Sequence, residues 1–239
     1  KKCMQKKPNL AALFGANETK TFLGLESCNS LRQLDAPIAL IGAPCATPYK
    51  SVGPYCRNGP NALRKSISSM TANIDRHNFD LDGPIFLPNC QKAVDCGDLK
   101  FNQNDPKGNR QIIESAVRQI LDKRAIPIVI GGGDSIPIPM LKAFEGRGRY
   151  TILQLDAHID WRDNHMGENM GLSSTMRRAS EMSHIENIVQ VGARSIGSGH
   201  SDDFSDAIDW GVKFVTAYDV HRNGVPSVFE LIPEGSKVI

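Results

Sequence analysis

The chain has 239 residues and a formal net charge of +2, from 28 Lys and Arg against 26 Asp and Glu. This length suits one large α/β domain, and the near-neutral balance gives no reason to expect nucleic acid as a partner. No apolar run approaches the roughly 20 residues that a membrane helix needs, so a membrane partner is not expected either. The 6 cysteines show no CxxC spacing, which favours reduced structural thiols in a cytoplasmic protein.

Strand and helix signals alternate through most of the chain. Residues 1–35 show little periodicity and are predicted to form an N-terminal arm, followed by a single α/β domain at 36–239. Apolar runs predict strands at 36–44, 93–99, 126–130, 150–155, 187–192 and 212–216, with another beginning at 236–239. Helical spacing predicts helices at 61–74, 110–123, 138–145, 175–182, 204–210 and 224–231. This alternation is typical of a parallel sheet with helices packed on it.

Two carboxylates and an imidazole follow the apolar strand at 150–155. Asp156, His158 and Asp160 lie in the pattern Asp-Ala-His-Ile-Asp, and alternate side chains share a face if the chain stays extended there. Ligands collect at the carboxyl ends of parallel strands, and oxygen with imidazole ligands suits Mn²⁺ or Ni²⁺. We therefore predict a metal site, with a solvated polar loop as the alternative.

A second acidic residue follows a glycine run at the end of the preceding strand. Asp134 comes after Gly131-Gly132-Gly133 and is expected at the same sheet edge as Asp156, where it would supply a fourth ligand. The glycine run has neither the phosphate-loop spacing with its Lys-Ser/Thr pair nor the G-x-G-x-x-G dinucleotide pattern.

Several motifs in this order carry a resemblance to a known family. They are Gly59-Pro60-Asn61-Ala62-Leu63-Arg64, Asp95-Cys96-Gly97-Asp98, Gly131–Ile136, Asp156–Asp160 and Val189–Ser195. Together they resemble the ureohydrolase family of arginases and agmatinases, and the stretch 160–182 looks closest to an agmatinase-like bacterial branch. The resemblance covers the chain from about residue 36 onwards.

The resemblance implies a fold, an activity and a set of metal ligands. It implies a three-layer α/β/α fold with a mainly parallel central sheet and a centre of two divalent metal ions, Mn or Ni. It also implies hydrolysis of a guanidino group to urea and an amine, in a homo- or hetero-oligomer such as a trimer or hexamer. The metal ligands would be Asp134, Asp156, His158 and Asp160, with Asp156 or Asp160 bridging both ions and Asp160 also catalytic.

The loop after the cluster is expected to contact the substrate. Leu172 stands where many agmatinases have a proton-shuttling histidine, and because leucine cannot move a proton, His165 in the same loop is the catalytic candidate. A cationic guanidinium needs carboxylate or carbonyl acceptors, and Asp163, Asn164 and Glu168 are the candidates for holding it.

Three departures from the family pattern keep other functions open. Asp134 aligns with the family's first histidine ligand, and Gly133 with an aspartate. Leu172 is the second departure. The third is the family's later Ser-x-Asp-x-Asp-x-x-Asp-Pro motif, which has no match and is expected to begin directly after Ile239, so the fold is expected to lack its C-terminal part.

We therefore expect a metal-dependent amidinohydrolase acting on an agmatine-like, guanidino-acid or substituted guanidine or biguanide substrate. One alternative is a non-catalytic or metal-poor subunit of a hetero-oligomer whose homologous partner is active. Another is a metal-binding or small-molecule-binding protein without hydrolysis.

Overall fold

The structure, a computed structural model, describes residues 19–68, 74, 76–87, 93–197 and 199–239. It divides into two compact units, the first drawn from 1–44, 56–99 and 119–132 and the second from 45–55, 100–118 and 133–239. No helix within the described ranges is long and apolar enough to cross a membrane. The predicted arm at 1–35 and single domain at 36–239 stay predictions, and residues 1–18 of that arm lie outside the described part.

The described residues of the first unit contain six strands. They are β1 (Glu26–Ser27), β2 (Ile38–Ala43), β3 (His77–Asn78), β4 (Gly83–Pro84), β5 (Val94–Asp98) and β6 (Ile126–Gly131). Four of them form a parallel sheet in the order β1-β5-β2-β6, and β3 pairs with β4 in antiparallel fashion. The register of β2 on β6 runs without a break from the pair Ile38 and Ile126 to the pair Ala43 and Gly131. The parallel pairing confirms the α/β prediction for this part of the chain.

Apolar residues of these strands pack into one core cluster. Its buried members are Leu25, Leu40, Ala93 and Ile130, with Phe22, Ile38 and Phe86 partly buried against them. Helix α1 (Gly59–Ile67) belongs to the same unit and has Pro60 in its first turn, where the missing N–H costs no hydrogen bond. Its predicted span was 61–74, of which residues 69–73 lie outside the described part.

A buried ion-pair group links α1 to β5. Arg64 lies 2.7 Å through Nε and 2.8 Å through Nη2 from the two carboxylate oxygens of Asp95, and its Nη1 contacts Asp98. Asp95 also accepts hydrogen bonds from the backbone N–H groups of Phe22 and Gly97. Burial acts to raise the pKa of Asp95, but these hydrogen bonds outweigh it and hold the pKa below its ordinary value.

The second unit is built on three further parallel strands. They are β7 (Tyr150–Leu155), β8 (Ile185–Ala193) and β9 (Lys213–Thr216), in the order β7-β8-β9. The last residues of the chain lie beside β7 with a parallel bridge between Val238 and Thr151, which confirms the strand signal at 236–239. A core cluster of Val189, Val191, Val215 and Val228 packs between the strands and the helices that follow.

Six more helices follow in chain order. They are α2 (Pro106–Asp122), α3 (Pro137–Lys142), α4 (Thr175–Ser180), α5 (Ser201–Trp210), α6 (Ala217–Asn223) and α7 (Pro226–Phe229). The helix predicted at 110–123 begins earlier than expected, because α2 begins at Pro106. The Asp105 carboxylate accepts the Gly108 N–H at 2.8 Å and caps the helix there.

Near the C-terminal end, the start of one helix differs from the prediction and one further helix was not predicted. Helix α5 begins at Ser201, before the predicted start at residue 204, because the Asp203 carboxylate accepts the His200 N–H at 2.8 Å. Helix α6 was not predicted. Thr216 and Asp219 form a capping box in which each side chain accepts the other residue's N–H, a Thr-x-x-Asp signal that could have identified it.

Candidate metal centre

Three aspartate side chains meet in the second unit. One carboxylate oxygen each from Asp134, Asp156 and Asp160 lies within 4.8 Å of the others. Asp134 is exposed, Asp156 is half-buried and Asp160 is buried. Three oxygens at this spacing can be bridged by one small divalent cation, because hard cations such as Mn²⁺ take carboxylate ligands. The structure therefore brings together three of the four residues that the sequence predicted as metal ligands.

Asp134 is positioned by the loop that follows β6. Its carbonyl oxygen accepts the Thr175 hydroxyl at 2.7 Å, at the first residue of α4. The next residue, Ser135, is buried, and its Oγ accepts the Thr47 N–H at 3.0 Å. These bonds fix the main chain on both sides of the Asp134 side chain.

The glycine before this segment is required by close packing of the backbone. A Cβ on Gly132 would lie 1.9 Å from the Pro44 carbonyl oxygen and 2.7 Å from that of Cys56. Neither neighbour is a flexible side chain, so no larger residue fits there. The glycine run is thus explained by this packing, and no phosphate-binding role is needed to account for it.

Asp160 is held at both its backbone and its side chain. Its φ of 49° is in the left-handed region, which is uncommon for a residue other than glycine. Its carbonyl oxygen accepts the N–H groups of Met176 at 3.0 Å and Arg177 at 3.1 Å, in the first turn of α4. Its Oδ2 accepts an amide N–H from Gln154 at 3.0 Å.

Crowding of the carboxylates changes their proton affinity. Although the Asp134 residue as a whole is exposed, its carboxyl group is desolvated by the cluster, and this desolvation, followed by the charges of Asp160 and Asp156, raises its pKa to about 8. Desolvation and the charge of Asp156 raise the pKa of Asp160 to about 6, against the lowering effect of hydrogen bonds from Asp134 and Gln154. A bound cation would relieve both effects, since it favours the ionised form of each carboxyl group. The donor set therefore fits a divalent metal ion.

His158 lies beside this group of three and is not part of it as the side chains are placed. The expectation of an extended chain after β7 is wrong, because β7 ends at Leu155 and Asp156 turns the chain by accepting the His158 N–H at 2.7 Å through Oδ1. The His158 Nδ1 is 3.3 Å from the same oxygen, and its side chain is 53% exposed. Its role as a ligand stays a prediction.

Sequence reasoning missed two glutamines next to the aspartates. Gln154 on β7 and Gln190 on β8 are paired in register, and Gln190 Nε2 contacts Gln154 Oε1. Gln190 is buried with 2% exposure. A signal was present in the sequence, because each is a polar residue in an otherwise apolar strand, where an unpaired amide would be costly.

His165 lies in a tight turn of the loop after the cluster. It exchanges backbone hydrogen bonds with Glu168 at 2.9 and 3.0 Å, and its ring packs edge-on against Tyr49 with centroids 5.6 Å apart. Its Nδ1 contacts the guanidinium of Arg162. Since arginine can only donate, Nδ1 is the acceptor and the neutral ring carries its proton on Nε2. The structure does not test the predicted proton shuttle.

The three candidates for binding the guanidinium have partners within the same loop or helix α4. Asp163 pairs with Arg178, whose hydrogen bond and charge lower the pKa of the Asp163 carboxyl group. The Asn164 Oδ1 accepts the Gly167 N–H at 3.0 Å, and the Glu168 Oε1 accepts the Met170 N–H at 2.8 Å. Each of the three therefore has a structural role in this loop, and the substrate role stays a prediction.

Two cavities of the second unit are lined in part by residues that were predicted to form the site. One, of about 590 Å³, is lined by Asp156 and His158 together with residues such as Val191 and Arg194. The other, of about 650 Å³, is lined by Glu168 together with Tyr49 and Lys50 among others. Asp156 and His158 thus line one opening, and Glu168 lines the other.

Comparison with known proteins identifies the family. The model of the arginase family matches residues 36–237. The chain belongs to the arginase family. This confirms the resemblance that the sequence motifs suggested.

Relatives of known activity cover most of this chain. Guanidinobutyrase from Pseudomonas aeruginosa is 26% identical over 234 residues, which is 93% of this chain and 71% of the relative. Agmatinase from Pyrococcus horikoshii is 28% identical over 207 residues, covering 84% and 65% respectively. This chain spans 59% of the length of a third relative, an uncharacterized 32.2 kDa protein of Methanothermus fervidus.

Solved structures of the family show the same fold. Proclavaminate amidinohydrolase from Streptomyces clavuligerus superposes with a TM-score of 0.77 at 24% identity, covering 93% of this chain and 73% of the other. Formiminoglutamase from Trypanosoma cruzi with Mn²⁺ gives 0.70 at 21% identity, covering 88% and 71% respectively. The arginase-like α/β fold is thereby confirmed.

Proposed function

We propose that the protein is a metal-dependent amidinohydrolase that cleaves a C–N bond of a guanidino compound, releasing urea and an amine. One observation carries the proposal: carboxylate oxygens of Asp134, Asp156 and Asp160 lie within 4.8 Å of one another. Membership of a family that includes an agmatinase and a guanidinobutyrase supports it. The substrate class is agmatine-like, a guanidino acid, or a substituted guanidine or biguanide.

In this proposal the aspartates hold two divalent ions, Mn or Ni. Ions held in this way lower the pKa of a bound water, so hydroxide is available near neutral pH. Asp160 is the best-fixed ligand, because its backbone is bonded to α4 and its Oδ2 to Gln154. His158 would join the ligands if its ring turned away from Asp156, since its side chain is 53% exposed and free to rotate.

The loop after the cluster would supply the groups that handle the substrate. The carboxylates of Asp163 and Glu168 and the amide of Asn164 offer acceptors to a guanidinium. His165 would transfer a proton to the leaving amine. In the arrangement described here its Nδ1 contacts Arg162, so it can take up a proton at that nitrogen only after the contact with Arg162 breaks.

The test is urea release by the purified chain supplied with Mn²⁺ or Ni²⁺ and a panel of guanidino compounds. Asp156→Asn and Asp160→Asn should abolish release, because each removes a charged ligand. Asp209→Asn on α5 is the matched control, since Asp209 is exposed and outside the cluster. Absence of urea from every compound with either metal, with and without a co-expressed homologue, would refute the enzyme proposal.

A second candidate is a non-catalytic subunit that keeps the fold while a homologous partner performs the reaction. It is favoured by the placement of His158 outside the group of three aspartates. Metal analysis after dialysis separates the two candidates. Close to two ions per chain supports the enzyme, and near zero supports the subunit role. His158→Ala should lower the bound metal, and unchanged occupancy would remove His158 from the ligand set.

The cellular location and the oligomeric state of the protein are also proposals. We propose a cytoplasmic location and a trimeric or hexameric assembly, as the family resemblance implies. Size-exclusion chromatography with light scattering tests the assembly, for which a monomer would be the contrary result.

A further inference from the structure

Two glutamine side chains form a chain of hydrogen bonds that ends on Asp160. Gln190 Nε2 donates to Gln154 Oε1 and, at 2.8 Å, to the Ile159 carbonyl oxygen. Gln154 Nε2 then donates to Asp160 Oδ2 at 3.0 Å. Both amides thus direct their N–H groups toward the segment 159–160 that carries the buried carboxylate.

The orientation of both amides is fixed by the chemistry of their partners. A carbonyl oxygen only accepts hydrogen bonds, so the NH₂ group of Gln190 must face Ile159. An ionised carboxylate also only accepts, so the NH₂ group of Gln154 must face Asp160. Within the described residues, the buried Gln190 Oε1 has no hydrogen-bond partner. The two amides therefore supply hydrogen bonds to the Ile159 carbonyl oxygen and to the Asp160 carboxylate, while the Gln190 Oε1 gains none among the described residues.

The strands that carry the two glutamines are rigid supports. Gln154 and Gln190 are directly paired in the register of β7 and β8. The neighbours of Gln190 in β8 are buried, with Val189 at 0% and Val191 at 8% exposure. Side chains on packed strands keep their rotamers better than side chains on loops, so this pair can fix the position of a loop carboxylate.

The bond from Gln154 restricts how Asp160 can bind an ion. It engages Oδ2, so an ion that replaces the proton shared with Asp134 is favoured to bind Asp160 through its other oxygen, Oδ1. Since the Asp160 carbonyl oxygen is bonded to the N–H groups of Met176 and Arg177, the backbone cannot follow a rotation of the side chain. The loss of the Gln154 bond would therefore free the carboxylate to turn between several orientations.

We propose that Gln154 and Gln190 are positioning residues that hold the Asp160 carboxylate in the orientation that binds a divalent cation. Gln154 acts directly on Asp160, and Gln190 acts both through Gln154 and through its bond to the Ile159 carbonyl oxygen. The inference rests on the metal site of the proposed function and adds two residues to it. Partners of this kind, once removed, typically cost about 10 to 100-fold in metal affinity.

The test measures Mn²⁺ affinity of the 239-residue chain by isothermal titration calorimetry. Gln154→Met keeps the size of the side chain and removes its amide, and it should weaken Mn²⁺ binding by about 10 to 100-fold. Gln190→Met should weaken it by a smaller factor. Gln111→Met on α2 is the control, because Gln111 is exposed, and its affinity should match the wild type.

A double variant separates positioning from a general structural role. Because Gln190 acts partly through Gln154, the variant with both substitutions should lose less Mn²⁺ affinity than the product of the two single losses. Independent losses that multiply in the double variant would overturn the proposal. So would a Gln154→Met chain that melts at a lower temperature without metal but binds Mn²⁺ as tightly as the wild type.

Each remaining outcome also bears on the positioning role of the two glutamines. If Gln154→Met does not fold, Gln154→Asn replaces it, since the shorter side chain cannot span the distance to Asp160, and wild-type affinity in that variant would overturn the proposal. Wild-type chain that binds Mn²⁺ but releases no urea contradicts the proposed function and leaves the role of the glutamines intact. Wild-type chain that binds no Mn²⁺ overturns the positioning role.

Discussion

Two acidic groups, one in each unit, differ in the origin of the charge that compensates them. In the first unit, Asp95 and Asp98 share the guanidinium of Arg64, and the pKa of Asp95 is held below its ordinary value. In the second unit, Asp134 and Asp160 are crowded with Asp156, and their pKa values are raised to about 8 and about 6. The bonds described for this second group come from amide N–H groups, from the His158 imidazole and from the Asp134 carboxyl group itself.

The difference separates a structural group from one that we propose to be functional. Carboxylates with a cation built into the chain stabilise the fold and need no further partner. Carboxylates that crowd together without one cost stability until a cation arrives from solution, and perturbed groups of this kind are typical of functional sites. The two sequence motifs, Asp-x-Gly-Asp and Asp-Ala-His-x-Asp, look alike in composition. They differ in their charge partner, because the aspartates of the first motif are bonded to Arg64 on helix α1.

The largest expected effect comes from removing that arginine. Arg64→Met would leave Asp95 buried without its charge partner, and losing one member of a buried ion pair costs about 3 to 5 kcal/mol in unfolding free energy. Urea unfolding at neutral pH measures it.

Arg118→Met is the control for this experiment. Arg118 pairs with Glu114 at 3.1 Å on the partly exposed face of α2, so its loss should cost at most about 1 kcal/mol. Similar losses in both variants would show that burial of the Arg64 group contributes nothing special.

The second effect is the response to metal. Mn²⁺ at about 100 times its dissociation constant should add about 2.7 kcal/mol to the stability of the wild-type chain, and a chelator should reverse this. The Arg64→Met variant should keep the same increment, because its carboxylates do not bind the ion. Asp156→Asn should lose most of it. Thermal unfolding with and without Mn²⁺ measures each increment, and an undiminished response in Asp156→Asn would contradict the comparison.

The third effect is a pH dependence of the first group. The pKa of Asp95 is lower in the folded than in the unfolded chain. Its stabilisation is therefore complete above the unfolded value, near pH 4, and is lost as the pH falls through the folded value. The stability gap between the wild type and Asp95→Asn should narrow below about pH 4, by about 1.4 kcal/mol for each unit of pKa difference. A gap that stays constant between pH 7 and pH 3 would show that this pair is not ionised as described.

The smallest effect concerns repulsion in the second group. Asp134→Asn removes one like charge from the neighbourhood of Asp160 and should raise the melting temperature of the metal-free chain by a few degrees, about 2 to 4 °C for each kcal/mol. Asp209→Asn should leave the melting temperature unchanged. A lower melting temperature in Asp134→Asn would mean that the carboxylate stabilises the fold even without a cation.

The sequence predicted the strands better than the helix ends. Apolar runs located β6 and β7 to within a residue, because a buried parallel strand is a continuous apolar segment. The starts of α2 and α5 were misplaced because capping by Asp105 and Asp203 extends each helix beyond its apolar stripe.

The site was predicted as far as local patterns could reach. Asp134, Asp156 and Asp160 were expected together and do meet. The expected reason, a sheet edge common to β6 and β7, is not what the strand pairing shows, because the two strands belong to different sheets. The placement of His158 was not foreseeable from spacing, because it depends on a turn that begins directly after Leu155. The glutamines were missed for a different reason. Their significance lies in the register of β7 on β8, which joins residues far apart in the chain.

The two ends of the loop at 161–174 are joined by backbone hydrogen bonds. The Asp160 carbonyl oxygen accepts the N–H groups of Met176 and Arg177, and the Arg162 N–H bonds to the Ser173 carbonyl oxygen at 3.0 Å. Such a closed loop can change its length at small entropic cost, since both ends are already pinned. Changes of length in the mostly exposed middle of the loop, at 163–168, should therefore disturb the aspartates less than changes at its buried ends, Trp161 and Ser173. If the loop contacts the substrate as we propose, its sequence can be altered for a new substrate without rebuilding the proposed metal centre.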